Sequence, residues 1–257
     1  MALLEVEGVV KNFGGVQALS RVSLAAVEGE TLAVIGPNGA GKTTLLNVVS
    51  GAHPATAGTV RLAGRRISGL SPDRVASLGV SRTFQTARLL WERTLLENVL
   101  LGFHGRTRAG FVSTMLAAPR AAREERWARA EALGLLELFG LGARYADLAG
   151  GLSYGQQRLV ELARALAGEP KLLLLDEPAA GLNEEETRGL GERIHSVRRA
   201  RPSLTVLLVE HDMALVTSVS DRTVVLNYGE ILAEGGPEAV LRDPRVIEAY
   251  LGRAPDA

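Results

Sequence analysis

The chain has 257 residues, no net formal charge and 46% apolar residues, so it is neither mainly disordered nor drawn to nucleic acid by a global field. It has no cysteine, which excludes disulfides, thiolate metal sites and thiol catalysis. No apolar run approaches the roughly 18 residues that a membrane-spanning helix needs, and the N-terminus lacks the pattern of a signal peptide. We expect one large domain, or a domain with a subdomain, in the cytoplasm.

The first elements are β-strands, and the third of them leads into a glycine-rich turn. Residues 3–10 and 21–27 read as strands, 31–35 as a buried strand and 43–50 as a helix. Between the last two lies Gly36-Pro-Asn-Gly-Ala-Gly-Lys42-Thr43-Thr44, which fits G-x-x-x-x-G-K-[ST]. The strand before it and the helix after it separate a phosphate-binding loop from an ordinary glycine-rich turn.

The residue types of this turn suit a nucleoside triphosphate. Glycines allow the backbone to curl so that its N–H groups face inward, and a helix N-terminus favours an anion. Lys42 is expected to reach the β- and γ-phosphates, and the Thr43 hydroxyl is placed to ligate Mg²⁺. The residues predicted to bind the nucleotide here are Gly36, Asn38, Gly39, Ala40, Gly41, Lys42, Thr43 and Thr44.

The middle of the chain changes from β-rich to mainly helical sequence. Strands are predicted at 58–62, 66–67 and 79–84, with a short helix opened by Ser71-Pro72. Thr94 and Glu97 form a capping-box pattern before a helix at 95–102, and residues 104–129 are rich in arginine. We therefore predict an inserted helical subdomain at 88–152, within a core formed by 1–87 and 153–257.

Alternation of strands and helices then returns. Ser153 and Gln156 form a second capping-box pattern, which opens a helix with one apolar face. Strands are predicted at 171–175, 204–209, 223–226 and 231–233, and helices at 184–199, 237–241 and 244–251. Continuous apolar strands alternating with helices indicate a mostly parallel sheet covered on both faces.

Two adjacent carboxylates, Asp176 and Glu177, end the apolar strand at 171–175. In a parallel sheet they lie at the carboxyl edge, where ligands bind. Asp176 suits Mg²⁺, and Glu177 suits a general base for an attacking water. The alternative is a solvated acidic pair, which the phosphate-loop motif upstream makes less attractive.

The order of the motifs points to a family. Leu152-Ser-Tyr-Gly-Gln-Gln-Arg158 follows the phosphate loop, the isolated Gln85 and the helical stretch, and it precedes the Asp176-Glu177 strand and His211. In this order the sequence resembles the nucleotide-binding subunits of ABC transporters over essentially its whole length. The resemblance implies an L-shaped α/β fold, with a RecA-like P-loop core, a small antiparallel β subdomain and an inserted α-helical subdomain.

The resemblance also implies roles for single residues. Phe13 matches the aromatic that stacks on adenine, although it could instead fill the subdomain core. Gln85 matches the glutamine that contacts Mg²⁺ or the lytic water, and His211 the switch histidine at the γ-phosphate. Ser153, Gly155 and Gln156 match the signature that grips the γ-phosphate of ATP held by a second subunit. The implied catalytic residues are Lys42, Gln85, Glu177 and His211, and the implied Mg²⁺ ligands are Thr43, Gln85 and Asp176.

Two positions depart from the family pattern. Tyr154 replaces the usual glycine of the signature, and its side chain is expected to point away from the phosphate. Asn183 replaces a commoner aspartate, which puts in doubt a cross-dimer contact that needs a charge, although asparagine still offers an acceptor.

Within the family, the chain looks like the longer ATPase subunit of bacterial branched-chain amino-acid importers. The features behind this are Asn12-Phe-Gly-Gly15, Arg82-Thr-Phe-Gln85, Glu210-His-Asp-Met213 and the ending Arg245-Val-Ile-Glu-Ala-Tyr-Leu-Gly252. Urea and amide importers and the lipopolysaccharide exporter ATPase are similar, while non-transport ABC ATPases usually carry coiled coils, zinc cysteines or fused units. The arginine-rich stretch is either a solvated face or a surface toward membrane subunits or acidic headgroups.

The partners and the location follow from the same resemblance. The implied ligands are ATP and Mg²⁺, bound by this chain together with a second ATPase subunit, either another copy or a paralogue. The other implied partners are transmembrane permease subunits and, indirectly, an extracytoplasmic binding protein, with no nucleic acid. The implied location is peripheral, on the cytoplasmic face of the membrane.

Overall fold

The computed structural model describes residues 2–83, 89–104 and 119–251, and these fall into two compact units. The first unit takes its residues from 1–82, 171–179 and 198–257, and the second from 83–170 and 180–197. The described part of the predicted helical insertion at 88–152 lies in the second unit. The domain boundaries given above stay a prediction.

The described residues contain ten strands, numbered in chain order. They are β1 (Ala2–Phe13), β2 (Val16–Val27), β3 (Thr31–Ile35), β4 (Ala57–Leu62), β5 (Arg65–Arg66), β6 (Val80–Arg82), β7 (Leu172–Asp176), β8 (Thr205–Val209), β9 (Arg222–Asn227) and β10 (Glu230–Gly235). Each predicted strand is present, but the first extends to Phe13 rather than to residue 10, and the second begins at Val16 rather than at residue 21. The predicted 79–84 strand ends at Arg82, and its residue 84 lies outside the described residues.

The same residues contain nine α-helices. They are α1 (Lys42–Val49), α2 (Pro72–Ser77), α3 (Leu95–Leu100), α4 (Pro119–Leu138), α5 (Tyr154–Ala167), α6 (Glu184–Ala200), α7 (Met213–Val219), α8 (Pro237–Leu241) and α9 (Pro244–Leu251). Short 3₁₀ turns follow α3 at Leu101–Phe103 and lie at Gly142–Arg144 and Ala149–Gly151. Among the described residues, no helix has the length and apolar content to cross a membrane.

A six-stranded sheet of order β10-β9-β3-β8-β7-β6 forms the centre of the first unit. Its strands pair in parallel except for β10, which is antiparallel to β9. Every residue of β3, β7 and β8 is buried, because both faces of the sheet are covered and the strands are mainly apolar. The carboxyl ends of β3, β6, β7 and β8 therefore meet at one edge.

A second, antiparallel sheet of order β2-β1-β4-β5 also belongs to the first unit. One face of β1 contributes Leu4, Val6 and Val9 to the same apolar cluster as Leu45 and Leu46 of α1. The mixed α/β fold class, a parallel P-loop core with a small antiparallel β subdomain, is confirmed.

Both predicted capping boxes form. The Thr94 hydroxyl accepts a hydrogen bond from the Glu97 backbone N–H at 3.1 Å, and the Glu97 carboxylate accepts one from the Thr94 N–H at 2.8 Å. Ser153 and Gln156 exchange the same two bonds at the start of α5. These local patterns satisfy N–H groups that a helix start otherwise leaves unpaired, which explains why both helix starts agree with the sequence prediction.

Candidate functional site

The turn from Gly36 to Gly41 joins β3 to α1 at the carboxyl edge of the central sheet. Gly36 has φ of 147°, and an added Cβ would lie 2.0 Å from the Leu226 carbonyl oxygen. At Gly41, with φ of 104°, a Cβ would lie 2.6 Å from the Ala18 carbonyl oxygen. Side chains are therefore excluded at both positions, and the backbone follows a path that only glycine permits.

The turn is also fastened from outside. The Gly229 N–H, in the β9–β10 hairpin, donates to the Ala40 carbonyl at 3.0 Å. Asn38 and Gly39 are exposed at its tip, whereas Ala40 is buried. Thr43 and Thr44 lie in the first turn of α1, beside the α1 N-terminus.

Lys42 is the buried cation of this turn, with 6% of its surface exposed. Its Nζ donates to the carbonyls of Gly36 at 2.7 Å and Pro37 at 3.0 Å. Burial lowers the pKa of Lys42, and the nearby Glu177 and Asp176 carboxylates partly oppose that change. A desolvated ammonium whose two acceptors here are neutral carbonyls is well suited to gain an anionic partner.

Asp176 ends β7 and is almost fully buried. Its Oδ2 accepts a hydrogen bond from Arg82 Nη2 at 2.8 Å. Arg82, at the end of β6, also donates to Asn47 Oδ1 at 2.6 Å and Ser50 Oγ at 3.1 Å in α1 and just after it. Among the described residues, Asp176 Oδ1 has no hydrogen-bond partner.

This unpaired carboxylate oxygen is where a divalent cation fits. A buried acceptor without a donor is costly, and Mg²⁺ takes one or two protein oxygens together with phosphate oxygens and water. In the described part of the chain, no group of three or more His, Cys, Asp or Glu is placed to hold a metal. Two oxygen donors that suit a cation are the Asp176 carboxylate and the Thr43 hydroxyl, whose role as ligands stays a prediction.

Glu177 follows directly and adopts a strained backbone. Its φ is 49°, a left-handed conformation that costs a non-glycine residue about 1–2 kcal/mol. Its N–H donates to the Val209 carbonyl at 2.8 Å, which fixes that backbone against the end of β8. Such strain is typical of functional positions when the surrounding structure enforces it.

His211 follows the end of β8 in the same way, after the buried Glu210. Its side chain is 58% exposed, and Nδ1 lies 3.7 Å from Glu210 Oε2. Asp212 caps the N-terminus of α7 by accepting the Leu215 N–H at 2.9 Å. The histidine is therefore presented to solvent from a well-anchored turn.

Phe13 lies at the end of β1 and is 44% exposed. The His53 ring meets it edge-on at 5.5 Å between centroids, and the Lys11 ammonium lies 4.7 Å from its centroid. Lys11 also donates to the Pro54 carbonyl at 3.0 Å. Phe13 is therefore an exposed aromatic surface rather than a core residue, as stacking on a base requires.

The residues of the signature lie in the second unit, at the start of α5. Ser153 is exposed, and Gln156 Oε1 accepts from Arg144 Nη1 at 2.9 Å in addition to its capping bond. A Cβ on Gly155 would lie 2.8 Å from Glu186 Oε1. Ser153, Gly155, Gln156, Glu186 and Arg193 border a cavity of about 280 Å³.

The two departures from the family pattern have local partners. The Tyr154 hydroxyl accepts from Arg158 Nη2 at 2.6 Å, and the ring would touch a Cβ on Gly181 at 3.1 Å. Asn183 caps α6: its Oδ1 accepts the Glu186 N–H at 2.9 Å, and Glu186 Oε2 accepts the Asn183 N–H at 3.1 Å. The Asn183 side chain thus already satisfies a helix start, a role that needs no charge.

The structure brings most of the predicted site residues of the first unit to one sheet edge. This group contains Gly36, Asn38, Gly39, Ala40, Gly41, Lys42, Thr43, Thr44, Asp176, Glu177 and His211. Ser153, Gly155 and Gln156 lie together in the second unit, and Gln85 lies outside the described residues. The roles assigned to all of these residues stay predictions.

Sequence reasoning missed three residues that hold these groups in place: Arg82, Glu186 and Glu210. The pattern Asn183-x-x-Glu186 was a readable capping signal. The pairing of Arg82 with Asp176 could not be predicted from the sequence, because it depends on the register of β6 against β7, in which Arg82 lies opposite Leu174.

Comparisons with known proteins agree with this geometry. Residues 19–180 match the family model described as ABC transporter, and residues 230–256 match one described as branched-chain amino acid ATP-binding cassette transporter. The chain is 44% identical to the high-affinity branched-chain amino acid transport ATP-binding protein LivG of Salmonella typhimurium and 45% identical to BraF of Pseudomonas aeruginosa. Each alignment covers 98% of both chains.

Solved structures are similar as well. An ABC transporter ATP-binding cassette in its ADP conformation is 34% identical, with a TM-score of 0.84, and the match covers 98% of this chain and 100% of that one. A dimeric cassette in a post-hydrolysis state, bound to ADP and Pi, is 28% identical, with a TM-score of 0.75 and coverage of 91% and 98%.

Proposed function

We propose that this chain, which belongs to the ABC transporter ATP-binding protein family, is the ATP-hydrolysing subunit of an importer of branched-chain amino acids. The observation that carries the activity is the convergence of the phosphate loop, Asp176-Glu177 and His211 at the ends of three neighbouring parallel strands. The cargo rests on the names of relatives such as LivG and BraF.

ATP binding begins at the turn between β3 and α1. The phosphates take the inward N–H groups of the turn and the α1 N-terminus, while the adenine stacks on the exposed Phe13 ring. Lys42 exchanges its two carbonyl acceptors for the β- and γ-phosphate oxygens. Because Lys42 is already buried, this exchange gives it an anionic partner without a new desolvation cost.

The Thr43 hydroxyl and the unpaired oxygen of Asp176 would hold Mg²⁺. When bound, the ion neutralises charge that develops on the phosphate oxygens. Arg82 holds the other Asp176 oxygen, so the carboxylate cannot rotate freely. Gln85 is proposed as a further ligand.

Hydrolysis uses the two groups that follow β7 and β8. The Glu177 carboxylate accepts a proton from a water molecule while the oxygen of that water attacks the γ-phosphorus. The bond from that phosphorus to the β–γ bridging oxygen breaks, giving ADP and inorganic phosphate. His211 contacts the γ-phosphate and so senses whether it is attached.

The site is completed by a second ATPase subunit, another copy or a paralogue, in which the residues at the positions of Ser153, Gly155 and Gln156 contact the γ-phosphate. ATP therefore binds the closed pair of subunits more tightly than the open pair, and so favours closure. Hydrolysis removes the γ-phosphate that both subunits contact, and the pair opens. This motion is passed to transmembrane permease subunits, to which an extracytoplasmic binding protein delivers the transported molecule. The chain itself lies at the membrane periphery, on the cytoplasmic face.

Lys42→Ala tests the phosphate-loop assignment. The variant should lose at least about tenfold in ATP affinity, because a charge-assisted contact contributes roughly 1.5–3 kcal/mol, measured by titration with a fluorescent ATP analogue. Lys171→Ala, which removes an exposed lysine at the start of β7, is the control and should bind normally. Normal affinity in Lys42→Ala would count against the proposed function.

A further inference from the structure

Glu210 is a fully buried carboxylate, with 0% of its surface exposed, between the end of β8 and His211. A buried charge is costly unless hydrogen bonds satisfy it. Nothing in the hydrolysis steps above uses this residue, although it is the neighbour of a proposed catalytic group.

Three backbone N–H groups donate to the Glu210 carboxylate. Oε1 accepts from Ala179 at 2.7 Å, and Oε2 accepts from His211 at 2.8 Å and from Asp212 at 3.1 Å. Each is a charge-assisted bond to a carboxylate that is itself fully buried, and such a bond is stronger than a neutral one. The carboxylate is therefore held on both oxygens.

The donors belong to two different loops. Ala179 lies two residues beyond Glu177, in the turn that leaves β7, whereas His211 and Asp212 form the turn that leaves β8. The two strands are paired up to Asp176 opposite Val209, and the Glu177 N–H to Val209 carbonyl bond adds one more link. Beyond the ends of β7 and β8, where their backbone pairing ends, Glu210 links the two turns that follow these strands.

We propose that Glu210 is a positioning residue that fixes the distance between Glu177 and His211. It does not touch ATP: it acts through the Ala179 and His211 amides, and its Oε2 also faces the His211 ring at 3.7 Å. With both turns on one carboxylate, the general base and the γ-phosphate sensor move as a unit. This inference rests on the proposed function.

The geometry requires a carboxylate of this length. Glutamine has one acceptor oxygen and an NH₂ group that cannot accept. In Glu210→Gln, the N–H of at least one of the two turns therefore loses its acceptor and meets the side-chain NH₂ group, which is also a donor. Aspartate keeps both oxygens but is one methylene shorter, so it cannot reach both turns from the same backbone position.

Glu210→Gln, in the transporter complex that co-purifies with the chain, tests the proposal. We expect kcat for ATP to fall at least about tenfold, because small misplacements of reacting groups are expensive, with ADP affinity within about twofold since Lys42 and Phe13 are untouched. The ratio of ATP to ADP affinity should also fall, because His211 meets only the γ-phosphate. A purely structural role would not move that ratio.

Glu30→Gln is the matched control. Glu30 also accepts a backbone N–H, from Val27 at 2.6 Å, and pairs with Arg222, but it precedes β3 and so lies at the opposite edge of the sheet. This variant should lose stability while keeping kcat and the ATP-to-ADP affinity ratio.

The outcomes separate this inference from the proposed function. An active wild-type complex whose Glu210→Gln variant keeps kcat and the affinity ratio overturns the inference alone. A wild-type complex that does not hydrolyse ATP overturns the proposed function and the inference with it. If Glu210→Gln fails to fold, Glu210→Asp carries the same expectation, and an unchanged kcat there overturns the inference.

Discussion

Single residues decide the shape of the phosphate loop. Gly36 and Gly41 stand where a Cβ would meet backbone carbonyl oxygens, so no rotamer change can relieve the clash. Gly39 has φ of 80° but no heavy atom within 4 Å of the position that a Cβ would take. The three glycines of the motif therefore differ in what they require.

Gly36→Ala should destabilise the first unit by about 3 kcal/mol or more, because backbone strain and a steric clash act together. Gly39→Ala should cost only about 1–2 kcal/mol, the conformational penalty alone. Guanidinium unfolding measures both. Equal midpoints for the two variants would contradict the loop geometry.

Asp176 shows what sequence reasoning can reach at this scale and what it cannot. Its place at a strand end and its suitability for Mg²⁺ follow from the apolar run before it. Its pairing with Arg82, 94 positions away, depends on which strands become neighbours. Likewise, one of the donors to Glu210 is the Ala179 N–H, 31 positions away, so no local sequence pattern predicts this hydrogen bond.

At the scale of elements, local signals predicted the helices and strands well. Capping boxes at Thr94 and Ser153 predicted two helix starts, because each satisfies N–H groups within one turn of the chain. The proline after Ser71 predicted a third, because proline has no N–H to leave unpaired in the first turn and its φ suits a helix. Asn183 and Glu186 have the same spacing as the two capping boxes, although Asn183 also departs from the family motif. Its role as a helix cap explains why asparagine serves there.

Asn183→Ala should lower the melting temperature by about 2–4 °C, since loss of an N-cap costs about 1 kcal/mol. Asn183→Asp keeps an acceptor for the Glu186 N–H and should melt close to the wild type. Differential scanning calorimetry distinguishes the two. A destabilised Asn183→Asp with an unaffected Asn183→Ala would show that the cap is not what the residue provides.

For the whole molecule, the family and the fold class were predictable because six motifs occur in a fixed order along the chain. The cargo could not be predicted from the site, because no residue at the sheet edge contacts the transported molecule in the proposed mechanism. The assignment to branched-chain amino acids depends on relatives and on the match at residues 230–256.

If the reaction centre is divided between two subunits, the molar mass of the protein in solution should depend on the bound nucleotide. Glu177→Gln should bind ATP without turning it over, so light scattering should find the closed pair with ATP and single chains with ADP. Adding Ser153→Glu, which places a charge against the γ-phosphate, should abolish the pair. A chain that stays at monomer mass with saturating ATP, alone and with the other ATPase subunit of its complex, would contradict the shared site.

The most direct test of the central claim, that this sheet edge hydrolyses ATP, is single-turnover release of phosphate from γ-labelled ATP by the purified transporter complex. Glu177→Gln should slow that step by about 10²-fold or more, the contribution of a general base, with ATP affinity unchanged. Phosphate release at the wild-type rate in Glu177→Gln would contradict the claim.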